Sequence, residues 1–200
     1  MHYSGIQQAS TAPEAPLLGD HLAMDLINTQ ARSHGELQDF WRTGDDVLRW
    51  LARCGITPAP DAGPVDLAAL LEQAQALRAL AQQLITSCKN GNDGKEGDID
   101  GLNTYLQAYL SAPLLECGAD GQLMLGRRAR ANALACLLGP VAEAVAQLLA
   151  EGDFALVKQC EHPDCILWFV DRTKAHKRRW CSMALCGNRY KAAQFRKKNA

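Results

Sequence analysis

Four cysteines near the C-terminus have the spacing of a metal site. Cys160 and Cys165 form one pair, and Cys181 and Cys186 form a second, in the pattern C-x4-C-x15-C-x4-C. Zinc in structural sites takes four ligands in a tetrahedron, and these are often all thiolates. Each short pair can bring two sulfurs to one ion around a tight turn. The pattern therefore predicts one zinc ion per chain, held by these four cysteines.

The closed ligand set also indicates what the metal does. Four protein ligands leave no position for water, which points to a structural ion and not a catalytic one. His162 lies inside the first pair but is not needed to complete the set. Two disulfides or four buried thiols are the alternatives, and a chain without a secretion signal disfavours the disulfides. Tetrahedral thiolates also accept iron, so the sequence leaves the choice of metal open.

Charge is distributed unevenly around this cluster. Residues 151–200 hold eleven Lys and Arg against five Asp and Glu, although the whole chain has a formal net charge of -1. A basic segment next to a metal site suits the binding of nucleic-acid phosphates. We expect DNA as the partner, and the sequence does not distinguish DNA from RNA. The alternative is a solvated face that offsets the charge of a Zn(Cys)4 centre. The expected contact residues are Arg178, Arg179, Asn188, Arg189, Lys191, Arg196 and Lys197.

The rest of the chain predicts a mainly α fold with a small β-hairpin. Apolar periodicity indicates a helical N-terminal domain over 17–152, preceded by a poorly ordered lead at 1–16. A zinc-binding module with a short strand and a basic helix follows over 153–200. The individual elements are expected at 46–54, 64–89, 98–111 and 127–151 for helices, 113–126 for the hairpin, 166–170 for the strand and 189–198 for the basic helix. Residues 21–30 fit either a helix or a strand.

The stretch 157–198 resembles the CGNR zinc-finger family. The motif of that family stands here as Cys186-Gly187-Asn188-Arg189, preceded by the segment 179–183. Residues 22–29 (LAMDLINT) look like the leading motif of the ABATE domain, which is commonly paired with this finger. Together the two resemblances imply a zinc-dependent, DNA-binding bacterial regulator linked to the stress response.

Three polar residues among apolar ones, Asp25, Asn28 and Thr29, permit two interpretations. They could line a ligand pocket between helices, for a small-molecule effector. Alternatively they cap a helix and satisfy backbone groups at a turn, which is the commoner use of these residue types.

The sequence also favours some classes of function over others. We expect no enzymatic activity, because nucleophile-elbow, metalloprotease and phosphate-loop motifs are missing. No uninterrupted apolar run reaches the roughly 18 residues of a membrane helix, so we expect a cytoplasmic protein without membrane contact. The body is expected to sense a signal, to form a homodimer, or both. The competing hypotheses are a zinc module that docks an acidic protein and a body that binds a small molecule.

Overall fold

The computed structural model describes residues 13–33, 35–58, 63–118, 121–129 and 131–199. The predicted class is confirmed, because helices dominate and the strands form small hairpins. A π-helical turn, Met183–Gly187, leads into the last helix. In chain order the elements are α1 (Leu22–Ile27), β1 (Gln30–Ser33), β2 (Glu36–Asp39), α2 (Gly44–Arg53), α3 (Leu67–Lys89), α4 (Glu96–Ala108), β3 (Ser111–Cys117), β4 (Leu123–Ala129), α5 (Ala133–Glu151), β5 (Val157–Gln159), β6 (Trp168–Val170) and α6 (Asn188–Lys198).

The core of the body forms where α3 packs against α1, α2 and α5. The buried face of α3 carries most of the predicted apolar stripe together with one arginine. It consists of Leu70, Ala74, Leu77, Arg78, Ala81, Leu84 and Ile85. The helix starts three residues later than expected because Asp66 caps it. The Asp66 carboxylate accepts hydrogen bonds from the backbone N–H groups of Ala68 and Ala69, at 3.0 and 3.1 Å. These two donors would otherwise lack partners at a helix start.

The segment 21–30 begins as a short helix, α1, and passes into β1. The next helix, α2, starts at Gly44 because Thr43 and Asp46 form a reciprocal cap. The N–H of Asp46 donates to the Thr43 hydroxyl at 3.3 Å, and the N–H of Thr43 donates to the Asp46 carboxylate at 2.9 Å. Gly44 also permits the close approach of α2 to α3, since a Cβ there would lie 2.2 Å from the carbonyl oxygen of Leu67.

A hairpin that the sequence did not predict follows α1. Strands β1 and β2 pair antiparallel, with Gln30 opposite Asp39 and Ser33 opposite Glu36. Gly35 takes a positive φ of 88° in the turn, a conformation that glycine adopts without strain. The strands are mostly polar and lack the apolar alternation by which a half-buried strand is recognised. The body therefore contains two hairpins in its described part, where one was expected.

The predicted hairpin extends further than expected and shortens the helix that follows. Strand β3 pairs with β4 from Ser111 opposite Ala129 to Cys117 opposite Leu123. Helix α5 therefore begins at Ala133 and not at residue 127, with the Asn132 side chain accepting a hydrogen bond from the backbone of the first turn.

Helix α5 is the most apolar helix among those described. By length and composition it is the one described helix that could cross a membrane, and 56% of its most apolar stretch is buried inside the protein. Its buried side chains, such as Leu137, Val141 and Val145, belong to the core of the body. A buried core helix meets the same length and composition criteria as a membrane span. The packing of α5 in the core therefore explains its apolar composition.

The end of the predicted poorly ordered lead packs against the body. Ala15 is buried, and its carbonyl accepts a hydrogen bond from the Arg53 guanidinium at 2.8 Å. Glu14 forms an ion pair with the same arginine at 3.3 Å. The expectation of a lead to residue 16 is therefore corrected for 13–16, and its residues 1–12 lie outside the described part of the chain.

The C-terminal module is joined to the body by specific hydrogen bonds. The side-chain amide of Asn28 donates to the Trp168 carbonyl and accepts from the Trp168 N–H, both at 2.8 Å. The N–H of Val170 donates to the carbonyl of Gly19 at 2.8 Å. Val157 is buried in the core of the body itself. The short sheet β5–β6 is thus shared between the module and α1.

Candidate metal centre

The first cysteine pair lies in a tight loop after β5. The N–H of Cys160 donates to the Leu167 carbonyl at 2.8 Å, and the N–H of Cys165 donates to the His162 carbonyl at 2.9 Å. These bonds fold the chain back so that both thiols face the same point. His162 Nδ1 accepts the N–H of Asp164 at 3.2 Å, so this ring shapes the loop.

The second pair lies at the π-helical turn. The Ser182 hydroxyl accepts the N–H of Leu185 at 3.3 Å, and its carbonyl accepts the N–H of Cys186 at 2.9 Å. This turn brings Cys186 back toward Cys181. A Cβ at Gly187 would lie 2.4 Å from the Met183 sulfur, so a larger residue there would require the Met183 side chain to move.

The four sulfurs converge as the sequence predicted. The Sγ atoms of Cys160, Cys165, Cys181 and Cys186 all lie within 4.8 Å of one another, and none is in a disulfide. The Cys165–Cys181 and Cys181–Cys186 sulfur distances are 3.7 and 3.5 Å. A tetrahedron of thiolates at about 2.3 Å from zinc has sulfurs about 3.8 Å apart. The cluster therefore fits a zinc ion at its centre.

The electrostatics of the cluster also favour a bound cation. The hydrogen bond with Cys181 lowers the pKa of Cys165 to about 5, and the same bond raises the pKa of Cys181. Burial raises the pKa of Cys160 to about 11. Thiols this close cannot all ionise by themselves, whereas a bound divalent cation deprotonates its thiol ligands. One structural zinc ion satisfies the whole set.

One arginine side chain lies beside the sulfurs. The Arg189 guanidinium donates to the Cys186 sulfur at 3.4 Å, and this bond raises the pKa of the arginine. Arg189 was predicted to contact nucleic acid, and it reaches the metal site as well as the surface. A positive group beside a Zn(Cys)4 centre partly offsets the net charge of -2 that the four thiolates and the ion carry.

Asp171 has a structural role that sequence reasoning missed. Its carboxylate is fully buried and accepts hydrogen bonds from Lys158 Nζ at 2.7 Å, from the Thr173 hydroxyl at 2.6 Å and from the Arg178 N–H at 2.8 Å. Burial alone would raise the pKa of this carboxyl, but the hydrogen bonds outweigh it and hold the pKa well below its usual range. Asp171 thus fixes the loop 172–178 between the cysteine pairs. The signal available in the sequence was a single acidic residue at the start of a basic segment.

Arg178, one of the predicted phosphate contacts, is used inside the protein. Its guanidinium donates to the carbonyls of Leu18, Trp180 and Cys181 and forms an ion pair with Asp20. It also lies 4.1 Å from the centre of the Phe169 ring. All three guanidinium nitrogens are therefore engaged, so Arg178 holds the module to the body.

The remaining predicted contact residues lie on the surface of the module: Arg179, Asn188, Arg189, Lys191, Arg196 and Lys197. Arg179 pairs with Glu161 at 2.6 Å and lies over the Trp180 ring. None of the described residues of α6 is buried. Phe195 is 69% exposed, because α6 extends beyond the small core of the module. Thus both sides of the helix face solvent.

The structure places the three candidate pocket residues at the joint between α1 and its neighbours. Asn28 pairs with Trp168 as described above. The Thr29 hydroxyl donates to the Leu26 carbonyl at 2.7 Å and accepts from Arg78 at 2.9 Å, and Asp25 accepts the N–H of Gly19 at 2.8 Å. These contacts favour the structural alternative, in which the side chains satisfy backbone and buried polar groups.

Comparison with known families agrees with this architecture. Residues 20–152 match the model of the ABATE family, which carries the description "Putative stress-induced transcription regulator". The chain belongs to the ABATE family. Residues 157–199 of this ABATE protein match the CGNR zinc finger, whose segment contains all four clustered cysteines. A search of curated proteins finds no match.

Proposed function

We propose that this protein is a cytoplasmic, nucleic-acid-binding regulator without enzymatic activity, whose zinc module contacts DNA. The observation that supports this most is a basic groove of about 440 Å³ beside the metal centre. Lys177 and Arg179 line it together with Trp180. Exposed cations along a groove suit phosphate oxygens, and a neighbouring aromatic ring can contact sugars or bases.

Helix α6 extends the basic surface away from the groove. Lys191, Arg196 and Lys197 are exposed on it. The zinc site holds the start of this helix through Cys186, two residues before Asn188. A helix fixed at one end and basic along its exposed length is suited to lie along a phosphate backbone or to enter a major groove.

Salt dependence of duplex DNA binding tests this proposal. Each phosphate contact that is lost reduces the slope of log affinity against log salt by about 0.9. The double variant Arg196→Ala with Lys197→Ala is therefore expected to bind more weakly, with a slope smaller by about two. The matched control removes two exposed cations from the body, Arg32→Ala with Lys95→Ala, and should leave affinity and slope unchanged.

The result that would contradict DNA binding is equally clear. If native protein loaded with zinc shows no salt-dependent binding to duplex DNA, or if both double variants weaken binding equally, the zinc module is not a DNA reader. Salt-dependent binding to RNA and not to duplex DNA would retain the phosphate contacts but make RNA the partner.

A second candidate function is the binding of an acidic protein by the same module. Three large apolar side chains, Met183, Leu185 and Phe195, are exposed on the module beside the cations. A partner helix with both apolar and acidic residues would fit such a surface, whereas phosphates would leave these side chains unused. Phe195→Ser separates the two functions, because it should weaken the binding of an acidic protein partner and leave the phosphate contacts unchanged.

The body is the proposed sensor of a signal. A groove of about 430 Å³ lies between α3, α4 and α5, lined mainly by apolar side chains such as Leu84, Leu102 and Leu149. An effector with an apolar part would fit there. A rise in the melting temperature of the native chain with a bound compound, lost in Leu102→Arg, is the expected sign of such an effector.

A further inference from the structure

Arg179 differs from the other exposed cations of the zinc module because its side chain is held in place. Its Nε–H donates to a Glu161 carboxylate oxygen at 2.6 Å, and its guanidinium carbon lies 5.0 Å from the centre of the Trp180 ring. The N–H of Glu161 donates to the Arg179 carbonyl at 3.0 Å, so the backbone joins the same two residues. A side chain fixed in this way loses less conformational freedom when it binds a ligand.

The surroundings of this ion pair are fixed as well. Trp180 packs on Tyr190, with the two ring centres 4.8 Å apart. The residue after Trp180 is the buried Cys181, and the residue before Glu161 is the buried Cys160. Both cysteines belong to the candidate metal centre. The four-cysteine cluster therefore holds both partners of the Arg179–Glu161 pair.

The pair is also open to a ligand. The side chains of Arg179 and Glu161 are 55% and 50% exposed, and Arg179 lines the basic groove beside the metal centre. The bond to Glu161 uses the Nε–H group, so the two Nη groups at the end of the guanidinium remain for a ligand. Two such groups side by side match two neighbouring acceptor atoms.

The charge of the pair favours a neutral ligand over a phosphate. A phosphate at the Nη groups of Arg179 would also lie near the Glu161 carboxylate, and like charges that are brought together repel each other. The major-groove edge of guanine carries no net charge and offers two acceptors, N7 and O6. The cytosine paired with it offers the N4 donor, which a carboxylate accepts. The donors of Arg179 and the acceptor of Glu161 therefore complement a G·C base pair.

We propose that Arg179 hydrogen-bonds to a guanine base in the major groove of DNA, and that Glu161 is the positioning residue that directs it to the base. This inference rests on the proposed function and assigns the sequence-dependent part of DNA binding to one pair of side chains. The exposed cations of α6, Lys191, Arg196 and Lys197, form no ion pair with a described residue. They suit phosphates, which carry no sequence information.

The test begins with the selection of binding sites from a pool of randomised DNA duplexes by the full zinc-loaded chain. We expect a guanine at a defined position of the selected site, and Arg179→Ala should lose the preference at that position alone. Replacing this guanine by 7-deazaguanine removes the N7 acceptor and keeps every phosphate. The replacement should weaken binding by the native chain about tenfold and leave binding by Arg179→Ala unchanged.

The magnitude of the slope of log affinity against log salt separates base contacts from phosphate contacts. Arg179→Ala should leave it unchanged, whereas Arg196→Ala should reduce it by about 0.9 and keep the guanine preference. Glu161→Gln should increase it by about 0.9 and weaken the guanine preference, because the released guanidinium can then bind a phosphate.

The matched control for Glu161 lies in the same loop. Asp164 is exposed and forms no ion pair with a described residue, so Asp164→Asn removes the same charge without releasing Arg179. It should change neither the slope nor the guanine preference. Zinc content and circular dichroism of every variant check that the chain is folded.

Different results would overturn this inference and the proposed function. Salt-dependent binding to duplex DNA without a guanine preference that depends on Arg179 would overturn the inference and leave the proposed function standing. A slope that Arg179→Ala reduces by about 0.9 would make this residue a phosphate contact. Equal effects of Glu161→Gln and Asp164→Asn would show that Glu161 acts by its charge and not by positioning Arg179. A native chain that binds no duplex DNA would contradict the proposed function and this inference together.

Discussion

The two halves of the chain are stabilised in different ways. The body buries a large apolar cluster, with helix faces of leucine, alanine and valine from α1, α2, α3 and α5. The core of the module consists of Cys160, Leu167, Phe169, Cys181 and Cys186, and three of these five residues are metal ligands. Segments of this size rarely bury enough apolar surface to fold alone. The comparison indicates that the zinc ion takes the place of a hydrophobic core in the module.

The junction between the halves is different again. It consists of directed hydrogen bonds, from Asn28 to Trp168 and from Arg178 to the segment 18–20, next to shared apolar packing. Such bonds fix the relative position of the two halves more than they add stability, because each replaces a bond to water. The folding of the module can therefore depend on its metal, while its position depends on the hydrogen bonds to the body.

The largest expected effect comes from removing one metal ligand. Cys181→Ser should abolish binding of the one zinc ion and unfold the module, because structural zinc contributes about 10–16 kcal/mol of binding free energy in zinc-finger peptides at neutral pH. Elemental analysis and circular dichroism measure this, and the helices of the body should keep their signal. Cys88→Ser, on α3 away from the cluster, is the matched control and should retain zinc. If the Cys181→Ser protein bound as much zinc per chain as the native protein, the proposed difference in how the two halves are stabilised would be wrong.

A smaller effect is expected from the buried carboxylate of the module. Asp171→Asn should lower the free energy of unfolding of the module by about 3 kcal/mol, since it leaves the Lys158 ammonium without its buried partner. Amide hydrogen exchange of the segment 159–187 in increasing urea measures the change, since it reports on the module separately from the body. The exposed Asp153→Asn is the control. A change within error of the control would show that the hydrogen bonds of Asp171 add no stability beyond that supplied by the metal.

The pH dependence of the same group has a definite sign. The pKa of Asp171 is lower in the folded protein than in the unfolded chain, so its stabilisation is complete above the unfolded value of about 4. It is lost as pH falls further, toward the folded pKa. The difference in stability between native protein and Asp171→Asn should therefore stay constant from neutral pH down to about 5. It should shrink only below about pH 4, where protonation of the thiolate ligands also releases the zinc.

The smallest effect is expected at the junction. Asn28→Ala should cost about 1–3 kcal/mol, because the polar groups of Trp168 lose both partners. The unfolding transitions of the body and the module should separate, with the zinc content unchanged. Asn188→Ala, on the exposed face of α6, is the control. A single unaltered transition would mean that the amide does not couple the halves.

The metal ligands were the most predictable part of the site. Their spacing is a local property, and two short loops are enough to bring two sulfurs each to one ion. The long amphipathic helix α3 was predictable for the same reason, since its stripe of leucines repeats along one segment. The hairpin β1–β2 escaped prediction because its polar residues carry no periodic apolar signal.

Residues that act at a distance were less predictable. Arg178 belongs to a basic run in the sequence, yet its guanidinium bonds to Leu18 and Asp20 of the N-terminal segment. Asp171 collects donors from Lys158 and Arg178, which only the folded loop brings together. Phe195 is an apolar residue on a mostly polar helix, yet it is exposed because α6 extends past the core of the module. These outcomes depend on tertiary contacts that composition and spacing do not encode.

The central claim is that zinc serves as the core of the module. Amide hydrogen exchange of the zinc-loaded and chelator-treated full chain tests it most directly, since it reports on both halves in one sample. The account predicts that the segment 159–187 loses its protection when zinc is removed, while α3 and the buried part of α5 keep theirs. Protection of that segment unchanged by zinc removal would contradict the account, because the module would then be stable without its metal.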